Sequence, residues 1–167
     1  VSEEDTIIDN GDVGYCTAYG VWDIVQDPLG EKKAVGRNFF RTGAVGNDAV
    51  TPVVKRVEWL FPASGAKSLP DGIYQIMVWV PESDPDHPST TKARYVVNYD
   101  GGSRVFTFDQ TDGGEWRLLS NDYFKFSGGG SVVLSNVTGD TQEVVSRDGL
   151  VVVADAIKFV PSVPQEI

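Results

Sequence analysis

The chain has 167 residues, with 14 Lys+Arg against 24 Asp+Glu and a formal net charge of −10. Hydrophobic residues make up 41% and charged residues 23%, the composition of one globular domain rather than a disordered chain. The acidic balance argues against nucleic acid and anionic membrane surfaces as partners, and the longest apolar runs, 76–80 and 150–154, fall far short of the roughly 20 residues of a bilayer span.

Val1–Thr6 is acidic and is expected to form a tail ahead of the folded domain. With Val1 in place of Met, the chain is expected to have lost a signal peptide or to be an excised domain. The stretch 26–51 shows little pattern and reads as a long loop. Val57, Trp59 and Phe61 then alternate with Glu58 and Leu60, and Tyr74, Ile76, Val78 and Val80 alternate with Gln75, Met77 and Trp79. Tyr95, Val97 and Tyr99 follow the same rule, as do Phe106 and Phe108. Period two over aromatic and β-branched residues predicts half-buried strands.

Turn chemistry punctuates these runs. Asp100-Gly101-Gly102 predicts a tight antiparallel hairpin, because Gly adopts positive φ without a Cβ clash. Pro70-Asp71-Gly72, Asp112-Gly113-Gly114 and Gly128-Gly129-Gly130 mark further turns. The segment 81–88 carries three prolines and reads as an exposed loop. The stretch 137–149 reads as a second long loop, and no twelve-residue window shows a helical period. The sequence predicts an all-β, antiparallel β-sandwich of jelly-roll type over 7–160, with tails at 1–6 and 161–167.

Several blocks recur in a characteristic order: Ile7-Ile8-Asp9-Asn10, Trp22, 57–62, Asp71-Gly72-Ile73-Tyr74, Trp79-Val80-Pro81, Asp100-Gly101-Gly102, Phe108-Asp109-Gln110, Gly113-Gly114-Glu115-Trp116, 132–136 and 152–159. In this order and spacing the chain resembles the golvesin / xanthan-lyase carbohydrate-binding-like domain family. The two long loops depart from the family pattern. The resemblance implies a β-sandwich that is non-catalytic, extracellular and associated with glycans.

Flat aromatic rings stack on pyranose C–H faces, and those near turns are the better ligand candidates. Trp22 and Tyr19 in one segment, and Trp116 with Arg117 beside the Gly-Gly turn, are therefore the candidate carbohydrate-binding residues. Trp59 reads as core; Trp79 is either the core of a doubly covered strand or a surface aromatic. Strict alternation puts Asp155 among Val151, Val153, Ile157 and Phe159. A carboxylate there needs a partner, so Asp155 is expected to be a buried, hydrogen-bonded residue pinning the last strand. A calcium site with Asp9 or Asp109 is the lesser alternative, since no compact calcium loop is present. Asn136-Val137-Thr138 is a glycosylation sequon, making Asn136 a candidate for modification.

Catalysis is not expected. Cys16 as nucleophile would need a base, and the one imidazole, His87, lies in the acidic Pro-rich loop. Cys16 reads instead as a small buried thiol that cannot form an internal disulfide, and no cofactor or metal is implied. Two functions compete. One is a secreted carbohydrate-binding or adhesion module with a polysaccharide or cell-surface glycan as partner. The other is a subunit of a secreted homopolymer, fibre or surface layer, joined by strand addition of its N-terminal segment.

Overall fold

The computed structural model describes residues 7–161. In chain order the first strands are β1 (Ile7–Asp9), β2 (Cys16–Tyr19), β3 (Asp23–Gln26), β4 (Asn38–Gly43), β5 (Arg56–Leu60), β6 (Gly72–Trp79), β7 (Ala93–Tyr99) and β8 (Gly102–Phe108). They continue as β9 (Trp116–Leu118), β10 (Phe124–Phe126), β11 (Ser131–Ser135), β12 (Val151–Ala154) and β13 (Ala156–Pro161), with one α-helix, α1 (Gln142–Asp148), and a short 3-10 helix at Val35–Arg37 among the described residues.

The strands form three antiparallel sheets. The first runs β1-β13-β6-β10, with β9 also on β6; the second runs β2-β5-β11-β7-β8; the third, smaller one runs β12-β4-β3. The first two face each other in a sandwich of jelly-roll type. Inward residues alternate as the sequence predicts: Tyr74, Ile76 and Val78 on β6 are buried, as are Val57 and Trp59 on β5 and Tyr95 and Val97 on β7. Phe61, just past β5, stacks on Phe126 of β10 at 4.6 Å and meets Phe159 of β13 edge-on at 5.3 Å, so rings from both sheets share one core. Each such ring, fully buried, stabilises the fold by about 2 to 3 kcal/mol. The Asp100-Gly101 turn closes the β7–β8 hairpin, with Tyr99 opposite Gly102.

Two expectations are corrected. The stretch 26–51 contains β4, which pairs with both β12 and β3. The stretch 137–149 contains α1, capped by the Thr141 side chain accepting from the Val144 N–H and ended by Gly149 in the left-handed conformation at φ 65°. Segments 1–6 and 162–167, expected as tails, lie outside the described residues, whereas Pro161 still pairs with Tyr74. Of 6–9, the segment considered for addition to a neighbouring subunit, Ile7–Asp9 pairs with β13 of its own chain, Ile8 opposite Ile157.

The expected unbroken alternation through 151–159 is also absent. All four residues of β12 are buried, and the chain changes sheets at Asp155, leaving β12 on β4 and β13 on β6. Asp155 occupies the corner between two layers.

Candidate functional site

The outer face of the first sheet carries the odd positions of β6. Trp79 lies opposite Trp116 in the β6–β9 ladder, and strand pleating puts both indoles on that face. The rings meet edge-on at 5.4 Å. Lys158, on the neighbouring strand and itself only 6% exposed, brings its ammonium to 4.7 Å from the Trp116 ring. The Trp79 indole N–H donates to the Lys33 carbonyl at 2.7 Å. Both indoles are half-buried and fixed in orientation.

Three loops close around them. Glu82 N–H donates to the Lys32 carbonyl, and Lys33 Nζ pairs with Glu82 at 2.7 Å. That pair, joined by Glu115, raises the Lys33 ammonium above its ordinary range. Gly114, at φ +83°, packs so closely that a Cβ there would lie 2.8 Å from Lys33 Cδ. Beside this junction opens a cleft of about 280 Å³ lined by Glu31, Lys32, Glu82, Ser83, Asp84 and Pro85. The arrangement offers an aromatic surface formed by two indoles, with the Lys158 ammonium over the Trp116 ring and the Lys33–Glu82 ion pair joined to Trp79 through the Lys33 carbonyl.

The other sequence candidates lie elsewhere. Strand pleating turns Arg117 away from Trp116; its guanidinium stacks on Phe108 at 4.2 Å and donates to the Asp109 carbonyl. Trp22 is 7% exposed and belongs to the core, its N–H donating to the Tyr19 carbonyl. Tyr19 is exposed on β2, with the Arg56 guanidinium 4.0 Å from its ring centroid. Trp59 is core. Asn136 is 1% exposed; it accepts from Lys55 N–H at 2.7 Å and donates to the Val53 carbonyl at 2.9 Å, so a glycan on that amide could not be accommodated in the folded domain. Burial, reinforced by Asp9 and Asp12, holds the Cys16 thiol well above the ordinary range and keeps it un-ionised. His87 stays in its exposed loop, where Asp84 faces its Nδ1 at 3.4 Å.

Asp155 is 1% exposed, and its Oδ2 accepts from Val35 N–H at 2.9 Å. Its Oδ1 is buried without a donor, and the neighbouring acid is Asp9, an arrangement satisfied when one proton is held between the two carboxyls. Burial first, then Asp9, pushes Asp155 up to about 10. Burial likewise raises Asp9, although its hydrogen bonds to Asp155 and Asn10 act in the other direction. The partner segment is ordered by Asp27, whose carboxylate accepts from Lys32 and Ala34 N–H groups. At Asp27 burial pushes upward and these hydrogen bonds outweigh it, leaving a lowered value. Asp109, the other carboxylate considered for calcium, instead accepts from Thr111 N–H at 2.8 Å. Among the described residues no group of three or more His, Cys, Asp or Glu side chains converges on a metal position.

Sequence reasoning did not find Lys33, Glu82 or Lys158 at the Trp116 site. Lys33 and Glu82 come from separate loops and carry no periodic signal, while Lys158, reading as an outward strand position, gave no sign that it meets an indole.

The chain matches the Golvesin C-terminal domain over residues 6–161, and it belongs to that family. Seven solved chains match it. A Paenibacillus xanthan lyase is similar at TM-score 0.69 and 22% identity, over 97% of this chain and 14% of the enzyme. The chain thus corresponds to a small part of that enzyme's length. A family 35 carbohydrate binding module from Clostridium thermocellum (TM-score 0.49, 14% identity, 92% of this chain and 97% of that one) is also similar. So is a family 35 module from an environmental isolate (TM-score 0.49, 20% identity, 94% and 98%). No curated protein matches the chain.

Proposed function

We propose that this domain is a non-catalytic carbohydrate-binding module working outside the cell, with the Trp116 indole as its stacking platform. The observation that carries the reading is the locked Trp79–Trp116–Lys158 arrangement on an outer sheet face, next to an open cleft. Buried indoles serve a core; these two are half-buried, with the Lys158 ammonium over the Trp116 ring and the Trp79 N–H donating to the Lys33 carbonyl. A sugar ring on the platform would direct its hydroxyls toward Glu82, Glu115 and Lys33. The fold shared with part of a xanthan lyase supports a module that accompanies polysaccharide chemistry. Of the remaining candidates, Arg117 would act on the opposite side of β9, Tyr19 only from β2, and Trp22 only by supporting Tyr19.

Affinity electrophoresis through gels containing neutral plant and bacterial polysaccharides tests the reading. Retardation by at least one polysaccharide, lost in Trp116→Ala with an unchanged melting temperature, is the expected result. Retardation that survives Trp116→Ala undiminished removes the platform.

A further inference from the structure

A second surface lies on the opposite side of the molecule. The outer face of the second sheet is open, and its register aligns side chains in rows across all five strands. Tyr19 is opposite Arg56, Arg56 opposite Ser135, Ser135 opposite Arg94, and Arg94 opposite Thr107. The adjacent row reads Thr17, Glu58, Val133, Val96 and Val105. All of these positions are half-buried or exposed, as expected for the solvent side of a pleated sheet.

The charges in the first row stand out against the rest of the molecule. The other arginines are engaged: Arg41 with Asp84, Arg104 with Asp122, Arg147 with Asp148, and Arg37 and Arg117 with backbone carbonyls. Among the described residues Arg56 makes only its ring contact with Tyr19, and Arg94 has neither hydrogen bond nor ion pair. In a chain of net charge −10, two guanidinium groups on one open row without an acidic partner are unusual. Glu58 shares the face but forms no ion pair with either. The arginines flank Ser135 and stand two strand spacings apart, about 10 Å.

We infer that this row binds an acidic polysaccharide lying across the strands, with Arg56 and Arg94 taking carboxylates of separated sugar units. Guanidinium pairs with carboxylate through two parallel N–H donors, which suits repeated acidic groups on an extended chain. The Tyr19 ring, already held by Arg56, bounds the row at one end, while Ser135 and Thr107 offer hydroxyls between and beyond the cations. A protein partner is disfavoured because, among the described residues, the centre of the face carries valines and no large apolar anchor. The site is independent of the Trp116 platform.

The test is affinity electrophoresis and calorimetry of the full chain with polygalacturonate, its carboxyl-reduced form and poly-glutamate. Polygalacturonate should bind, more weakly as salt rises, and the reduced polymer should not. Arg56→Gln and Arg94→Gln should each weaken binding roughly tenfold, with unchanged circular dichroism, and Trp116→Ala should leave it intact. Failure of polygalacturonate to bind, equal binding by the reduced polymer or by poly-glutamate, or an undiminished double arginine variant would overturn the proposal. Loss in Trp116→Ala alone would instead place acidic binding at the platform and overturn the second site.

Discussion

Asp155→Asn probes the corner where the chain passes from the third sheet to the first. In the folded domain Asp155 holds its proton up to about 10, while the unfolded chain releases it near 3.8. A raised carboxyl contributes its full stability below the unfolded value and loses it progressively as pH rises toward the folded one. Between pH 4 and pH 7 the difference amounts to about 4 kcal/mol, at about 1.4 kcal/mol per pH unit. In a chain of this size that is a fall in melting temperature of about 10 °C. Asparagine is nearly isosteric. Its carbonyl can accept from Val35 N–H, and its amide can donate to Asp9 without any proton to retain. The variant should therefore match the parent near pH 4 and melt several degrees higher at pH 7 to 9. Differential scanning calorimetry in overlapping buffers reads this directly. A parent whose stability is level from pH 5 to 9, or a variant less stable than the parent at pH 8, would refute the shared proton.

At the acidic end the sign reverses. Asp84, held down by the Asp86 N–H, and Asp148, held down by Arg147, stabilise the fold above the ordinary carboxylate range, so melting temperature should also drop below about pH 3.5, as the same scans would record. Gln110 is fully buried and bonds the Tyr95 hydroxyl and both the N–H and carbonyl of Val153, so Gln110→Ala should cost about 3 kcal/mol in urea denaturation. Asn136→Ala, which orphans Lys55 N–H and the Val53 carbonyl, should cost about 2 kcal/mol by the same assay. Intact mass after expression through a glycosylating route should show Asn136 unmodified in folded protein. A chelator should leave the melting temperature unchanged; a fall of more than a few degrees would indicate an ion at the Asp9–Asp155 corner.

The legible part of this fold lies where one face is apolar and the other polar. β5, β6, β7 and β8 were all readable from alternation, and Gly101 placed the hairpin between the last two. β4 escaped because its inward positions include Thr42, a buried polar residue that accepts from Lys55 Nζ, which erases the alternation. α1 is two turns long, too short to display a period, although Thr141 and Gly149 were capping signals in plain sight. Asp155 was recognisable as a residue in need of a partner, but Asp9 was set beside it only in the calcium alternative and Val35 not at all, because both contacts cross more than a hundred positions of chain. The Trp116 site was half legible for the same reason: the indole follows a readable turn, while Lys33, Glu82 and Lys158 converge only through folding.

The pairing of β1 with β13 also decides how the domain answers tension. Ile7 and Lys158 are ladder neighbours, and the strands run antiparallel, so the polypeptide enters and leaves at adjacent points on the same rim. Opposed forces applied there act across the strands and load the outermost hydrogen bond alone. The bonds open one after another, as in a zipper, rather than resisting together in shear. Pulled in this way, the module gives way first at its N-terminal edge and at modest force, uncovering the corner carboxyls to water while the opposite sheet stays intact.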